Sequence, residues 1–190
     1  MEMPDVVVHR ELRRGDVNAI VDLHDRVYRG EYGADDVWIQ TIRSAIERAV
    51  QRGWPRDPAL GSVWLVRRDG RLVGSLALVL ECPRVGSLDW FVLDPELRGR
   101  GLGRQLVADL VAEAHARPME KLKVETFSKL TAAARIYRDA GFSVVWQRDI
   151  DWQGEPVTHQ LYTLTLEPAP MTPSPTRASQ ARAADRGHPG

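Results

Sequence analysis

Leu93-Asp94-Pro95-Glu96-Leu97-Arg98-Gly99-Arg100-Gly101-Leu102-Gly103 is the stretch whose reading decides the fold. An apolar strand ending at Leu93 meets a proline stop, and an arginine–glycine loop then runs straight into a helical stripe of Leu102, Leu106, Leu110 and Ala114. The junction is predicted to cradle an anion. Gly99, Gly101 and Gly103 let backbone pass close to a ligand with no Cβ in the way, so that successive N–H groups and the helix start converge on one point. Arg98, Arg100 and Arg104 add positive charge there. A solvated basic turn at a helix start would need fewer glycines, because each one inside a first turn costs roughly 1 kcal/mol against alanine.

Two familiar phosphate loops are poor matches. No Gly-Lys-Ser/Thr closes the loop, which excludes a P-loop. The dinucleotide fingerprint wants Gly-x-Gly-x-x-Gly after a first strand, whereas this spacing is Gly99-x-Gly101-x-Gly103 and comes late in the chain.

On either side of the loop the periodicity changes element by element. Val6 to Leu12 has strand-like content, and Gly15-Asp16 supplies a turn and an N-cap for a helix with Val17, Ile20, Val21, His24, Val27 and Tyr28 on one stripe. Trp38, Ile42, Ala45, Ile46 and Ala49 form a second stripe, and Gly53 to Gly61 is a loop. Val63–Arg67, Leu72–Leu80 and Ser87–Leu93 read as a meander of strands, the first pair joined at Arg68-Asp69-Gly70. After the central helix, which Pro118 ends, come a strand over Lys121–Phe127 and a short helix from Thr131 to Ala140. That helix is predicted to stop at Gly141 in the left-handed conformation, with Phe142 folding back on it. Two long strands near Val144–Ile150 and Pro156–Leu166 finish the domain. The order β-α-α-β-β-β-α-β-α-β-β implies a mixed α/β (α+β) sheet of about seven strands, largely antiparallel, flanked by about four helices.

The chain has 190 residues, enough for one domain with a real core. Lys plus Arg and Asp plus Glu both number 26, so nothing points to a nucleic-acid or membrane surface as the main partner. One cysteine, Cys82, excludes an internal disulfide framework, and the absence of a secretory or membrane-spanning apolar run leads us to expect a cytoplasmic protein. Five scattered histidines lack metal-ligand spacing, so no metal site is expected. The domain is expected to occupy residues 1–167. From Pro168 to Gly190 there are five prolines, five alanines and no Val, Ile, Leu or aromatic residue, the composition of a disordered tail.

Arg98-Gly99-Arg100-Gly101-Leu102-Gly103, preceded by Val92-Leu93-Asp94-Pro95, resembles the acetyl-CoA-binding motif Arg/Gln-x-x-Gly-x-Gly/Ala of the GNAT superfamily of N-acyltransferases. Ala132-Ala133-Ala134-Arg135-Ile136-Tyr137 through Gly141-Phe142 looks like the same superfamily's Ala…Tyr…Gly-Phe helix end, and the two motifs stand in the expected order. Tyr28…Glu31-Tyr32-Gly33, Glu125–Ser128 and His159–Leu164 also look like the acetyltransferase half of MarR-fused GNAT proteins. No winged helix precedes them here, so DNA binding is not carried over.

The resemblance implies a GNAT-like fold, acetyl-CoA as co-substrate, and a strand leading into the loop that splays from its neighbour at a bulge. Backbone groups of Phe91, Val92 and Leu93 would then pair with the pantetheine arm, and Arg98 to Arg104 would hold the pyrophosphate. Ala132, Arg135 and Tyr137 would line the same site, joined by Ser128, which stands where the superfamily commonly has Asn. Tyr137 is the candidate general acid, with packing or a hydrogen bond to the sulfur as its other readings.

Acyl transfer needs a neutral amine. An alkyl ammonium with a pKa of about 10.4 therefore needs a base or a desolvating pocket. Asp89, two residues before Phe91 and so expected on the same strand face, and Glu81 at the end of the preceding strand are the candidate bases, a surface carboxylate being the commoner fate of either. Cys82 is expected to be structural. Trp64, Trp90 and Trp146 are expected in strand cores, while Trp38 and Trp54, with Tyr28 and Tyr32, either wall an acceptor site or join the core. The acceptor is left as a small-molecule or protein amine, and a homodimer is one arrangement the fold would allow. A non-catalytic acyl-CoA sensor is the alternative to an N-acetyltransferase working by direct transfer.

Overall fold

The computed structural model describes residues 6–152 and 154–166, so the expected tail from Pro168 to Gly190 lies outside the described residues. The chain runs β1 (Val7–His9), α1 (Asp16–His24), α2 (Asp36–Gln51), β2 (Gly61–Arg68), β3 (Arg71–Cys82), β4 (Val85–Leu93), α3 (Leu102–His115), β5 (Lys121–Phe127), α4 (Thr131–Asp139), β6 (Ser143–Trp152) and β7 (Glu155–Thr165). This is the expected order, with short helical turns added. The strands form one seven-stranded sheet in the order β1-β2-β3-β4-β5-β7-β6. Every neighbouring pair is antiparallel except β4 and β5.

Two apolar layers sandwich the sheet. Against one face, Leu102, Leu106 and Leu110 of α3 and Ala134 and Tyr137 of α4 pack with Leu76, Leu78, Leu93 and Leu122. Against the other, Ile20, Leu23 and Ile46 of α1 and α2 pack with Leu65, Ala77, Val79 and Val92. Coverage on both sides explains why Leu72 to Val79 of β3 are buried without interruption, where a half-exposed strand would alternate.

Helix ends follow local chemistry. Asp35 caps α2 by accepting from the Trp38 N–H at 2.8 Å. At α1 the expected Asp16 cap does not form. Gly15 takes the cap position with φ +89°, and Asp16 is buried inside the first turn, accepting from the Arg13 N–H and pairing with Arg67 of β2. Beyond His24 the helix widens into a π-helical turn, Asp25–Arg29, which carries Val27 and Tyr28 onward. Gly141 at φ +92° closes α4, where the Phe142 N–H donates to the Tyr137 carbonyl and the Gly141 N–H to that of Arg138. These are the two bonds of a Schellman ending.

Two expectations need correcting, and one left open is decided. The first strand is only Val7–His9, shorter than Val6–Leu12. Trp146 is 44% exposed on edge strand β6, because the helices do not extend over that end of the sheet. Trp54 belongs to the core, 1% exposed, its indole N–H donating to the Leu78 carbonyl at 2.9 Å. Among the described residues no helix is long and apolar enough to cross a membrane.

Gly141→Ala is expected to cost about 1–2 kcal/mol, since an L-residue is disfavoured in the left-handed region, and to lower Tm by roughly 2–8 °C. A thermal melt of the purified variant measures it.

Candidate active site

Strand β4 has two different halves. Val85, Gly86 and Ser87 pair with Lys121, Leu122 and Lys123 of β5, and the pairing stops there. Its antiparallel register with β3 also slips: Ala77 opposes Asp89 and Ser75 opposes Val92, so Trp90 and Phe91 have no β3 counterpart. Trp90 sits at φ +49°, and the Ser75 hydroxyl donates to its carbonyl at 2.6 Å. This bulge bends the strand away from β5 and opens a cleft past Ser87. The splay implied by the resemblance is present.

The bulge corrects one expectation. Asp89 and Phe91 do not share a face, because the extra residue breaks the alternation. Phe91 packs with Tyr137 on the α3–α4 side, ring centroids 6.3 Å apart, whereas Asp89 and Trp90 line a cavity beneath α2.

At the end of β4 the loop of glycines and arginines takes the cradle form. Gly99 (φ +73°) and Gly101 (φ +86°) adopt left-handed backbone, and an added Cβ at either would meet no atom within 4 Å, so conformation rather than space requires glycine. The N–H groups of Gly99, Gly101, Leu102, Gly103 and Arg104 donate to no backbone acceptor among the described residues, and no side chain caps the helix. They converge on the N-terminus of a 14-residue helix, where the dipole favours an anion. Gly103 does a different job from the one expected. Its Cβ would stand 3.1 Å from Ile136 and 3.3 Å from Leu93 and Phe91, so this glycine lets α3 press against α4 and β4.

The arginines divide in the same way. Arg98 turns inward, donating to the Leu93 carbonyl at 3.1 and 3.2 Å and to Glu31 at 2.6 Å. That guanidinium is occupied, and so is the Leu93 carbonyl that a pantetheine amide was expected to use. Arg104 pairs with Asp139 of α4 at 2.9 Å. Arg100 and, on α4, Arg135 are exposed and form no ion pair among the described residues. Ala132 is exposed on the same helix. Ser128 is tied to β7: its N–H donates to the Thr158 carbonyl, and its hydroxyl oxygen accepts from the Thr158 N–H at 3.1 Å.

Tyr137 is buried in the layer between α4 and the sheet. Burial pushes its phenol well above the usual range, with the neighbouring Tyr28, Asp89 and Tyr162 adding to the rise, so it holds its proton at neutral pH. Its hydroxyl makes no hydrogen bond among the described residues. Asp89 stands at the mouth of the cleft, two residues beyond the last β4–β5 pair. Burial raises its carboxyl to about 6; Glu81 and Glu125 push the same way, while the Ser87 hydroxyl, donating at 3.0 Å, and Lys123 oppose. Glu81 is half exposed and tied to Lys123 at 2.6 Å, a poorer candidate for a free base. Cys82, the last residue of β3, is exposed. His24 is buried and pushed down to about 4 by desolvation, its ring N–H donating to the Ile20 carbonyl, which makes it a neutral core residue. Among the described residues no group of acidic, histidine or cysteine side chains is arranged to hold a metal ion.

Aromatic rings pack together where the segment after α1, α2 and the β6–β7 hairpin meet. Tyr28 stacks on Trp38 at 4.4 Å, Trp38 meets Trp152 edge-on at 6.0 Å, and Trp152 reaches Phe127 at 5.1 Å. The Trp152 indole N–H donates to the Tyr32 carbonyl at 2.8 Å, fastening the β6–β7 hairpin to the end of the first helical segment. About 10 Å³ remains between these rings. Beneath α2 a cavity of about 620 Å³ stays open, lined by Arg48, Gln51, Arg52, Glu81, Asp89 and Trp90 among others.

A profile of the acetyltransferase (GNAT) family matches residues 17–142, and the chain belongs to that family. It is 31% identical over 91 residues to a mycothiol acetyltransferase of Beutenbergia cavernae, covering 47% of this chain and 30% of that protein. Over 107 residues it is 34% identical to glucosamine 6-phosphate N-acetyltransferase 1 of Oryza sativa subsp. japonica, covering 50% and 63%. The chain thus matches less than two thirds of the length of either relative. The fold is shared with a GNAT family acetyltransferase from Elizabethkingia anophelis solved with acetyl-CoA bound, at TM-score 0.56 and 15% identity, over 85% of this chain and 99% of that one.

Arg48 and Arg52, which line the cavity, escaped the sequence reading. They border the apolar stripe of α2 at i and i+4, but nothing local says which border faces the cleft. For the cradle, Arg100→Ala and Arg135→Ala are each expected to weaken CoA binding about tenfold, the worth of a hydrogen bond to a charged group, and to flatten its salt dependence. Arg98→Ala is expected to lower Tm as well, because it releases Leu93 and Glu31. Calorimetric titration with CoA alongside thermal melts separates the two.

Proposed function

We propose that the protein is an N-acetyltransferase that moves an acetyl group from acetyl-CoA to a primary amine by direct transfer. The observation that carries this reading is the meeting of three features on β4: the unpaired strand edge, the open amide cradle at its end, and Asp89 at the cleft mouth. The cradle fits a pyrophosphate by its donor set, with Arg100 and Arg135 free beside it. The thioester arm would lie in the gap between β4 and β5, where Phe91 and Val92 present backbone. Ser128 would offer its hydroxyl proton near the end of β5.

Asp89 takes the proton from the incoming ammonium. A carboxyl near 6 is ionised at neutral pH yet more basic than an ordinary aspartate, which suits a general base. Tyr137, held protonated by burial, gives its phenolic proton to the departing thiolate and is reprotonated by the second proton that the nitrogen sheds as the amide forms. The remaining acceleration comes from holding two substrates in line. Both curated relatives carry acetyltransferase names, and one names an amine acceptor, glucosamine 6-phosphate, which supports an amine acceptor for this chain too. A non-catalytic sensor would need the cradle but not a cavity leading to a base of raised pKa.

Asp89→Asn is expected to lower kcat about 10²–10⁴-fold with little change in acetyl-CoA affinity. The wild-type rate is expected to fall as pH drops through about 6, where the carboxyl is protonated, and this limb disappears in the variant. Tyr137→Phe keeps the ring packing and is expected to lower kcat by roughly 10²-fold. Release of CoA across a panel of amines measures all three effects. Tight CoA binding with no turnover on any amine would favour the sensor.

A further inference from the structure

The cavity in front of Asp89 carries opposite charges on opposite walls, and this bears on which amine enters. Its floor on β3 and β4 holds Glu81 and Asp89, while its α2 wall holds Arg48 and Arg52. Arg48 stands in the last turn of α2 and Arg52, four residues on, is its C-cap and still in right-handed helical backbone, so the two side chains leave on one face. Neither forms an ion pair or a side-chain hydrogen bond among the described residues, whereas Arg43 on the same helix is bonded to Asn18 and lies 3.8 Å from Glu47. Glu81, by contrast, is already paired with Lys123. The two free charges of the α2 wall are therefore positive, and the free group on the floor is the carboxyl of Asp89.

The shape restricts the occupant as well. At about 620 Å³ the cavity is in the roughly 300–1,000 Å³ range of sites that enclose small molecules. The Trp152–Tyr32 fastening and the packed rings of Tyr28, Trp38 and Phe127 fill the neighbouring region and leave only about 10 Å³ there, too little for an extended chain. A bare alkylamine would fill little of the space and leave two guanidinium groups unused. A polyamine would bring its second cation against them.

We propose that the acceptor is a small amine bearing an anionic group, phosphate or carboxylate, with its nitrogen at Asp89 and its anion on Arg48 and Arg52. Guanidinium groups suit this, because their planar fork binds either anion through two parallel hydrogen bonds. The inference rests on the proposed role of Asp89 in receiving the amine.

Its test is equilibrium binding, which needs no turnover. Calorimetry on the full chain saturated with CoA would compare O-phosphoethanolamine with ethanolamine, and β-alanine with β-alaninamide. The anionic member of at least one pair is expected to bind about tenfold or more tightly than its neutral partner, and the responding pair identifies phosphate or carboxylate. Arg48→Gln combined with Arg52→Gln is expected to erase that preference while CoA affinity and Tm stay unchanged. Equal binding within both pairs, a preference that survives in the double variant, tighter binding of spermidine or of a hexapeptide with a free N-terminus, or no binding by any probe at millimolar concentration would each overturn it. Failure of a bound anionic amine to release CoA from acetyl-CoA would count against the transfer reaction and leave this inference standing.

Discussion

Past Ser87, β4 is hydrogen-bonded on one side only, and the rest of the site depends on that. A central strand normally satisfies backbone groups along both edges, and leaving one edge open inside a domain is costly unless something else fills it. Here the departure is built in by one extra residue: Trp90 in left-handed backbone, its carbonyl held by the buried Ser75 hydroxyl. The same bulge turns Asp89 and Trp90 toward the cavity under α2 while Phe91 faces Tyr137. One local distortion thus separates β4 from β5, aims the carboxylate to one side and keeps the phenol on the other.

The fold was legible because its elements are locally consistent. The stripe of Leu102, Leu106, Leu110 and Ala114, the Arg68-Asp69-Gly70 turn and the Gly141-Phe142 ending each point to one structure without tertiary help. The failures have the opposite character. Asp16 looked like a cap, but a half-buried Arg67 on β2 claims its carboxylate, and no local pattern reveals a partner 51 residues away. Trp146 looked like core because strands usually bury tryptophan, yet exposure depends on how far the helices extend across the sheet. The period of two placed Asp89 beside Phe91, and a bulge is the feature that period cannot register.

Within the cradle, three glycines that looked equivalent divide by physical role. Gly99 and Gly101 are needed for their dihedral angles, and Gly103 for the absence of a side chain against Ile136, Leu93 and Phe91. Composition alone counts glycines; only the backbone distinguishes conformation from clearance. The arginines divide likewise, since a guanidinium serves equally as a ligand for phosphate or as a clamp on carbonyls.

That second division says how the cradle is held ready. An array of unpaired N–H groups binds an anion well only if it does not have to be assembled at the moment of binding, because ordering a loop subtracts from affinity. Arg98 supplies the order. By gripping the Leu93 carbonyl and Glu31, it joins the end of β4 to the segment after α1, and Arg26 reinforces the same junction through Asp94, whose N–H donates to Val73. The loop that follows is anchored at its first residue by Arg98 and at its last by the packing of Gly103. Between and beside these anchors the amides of Gly99, Gly101, Leu102, Gly103 and Arg104 donate to no backbone acceptor among the described residues, and they are pre-set by the packing around them.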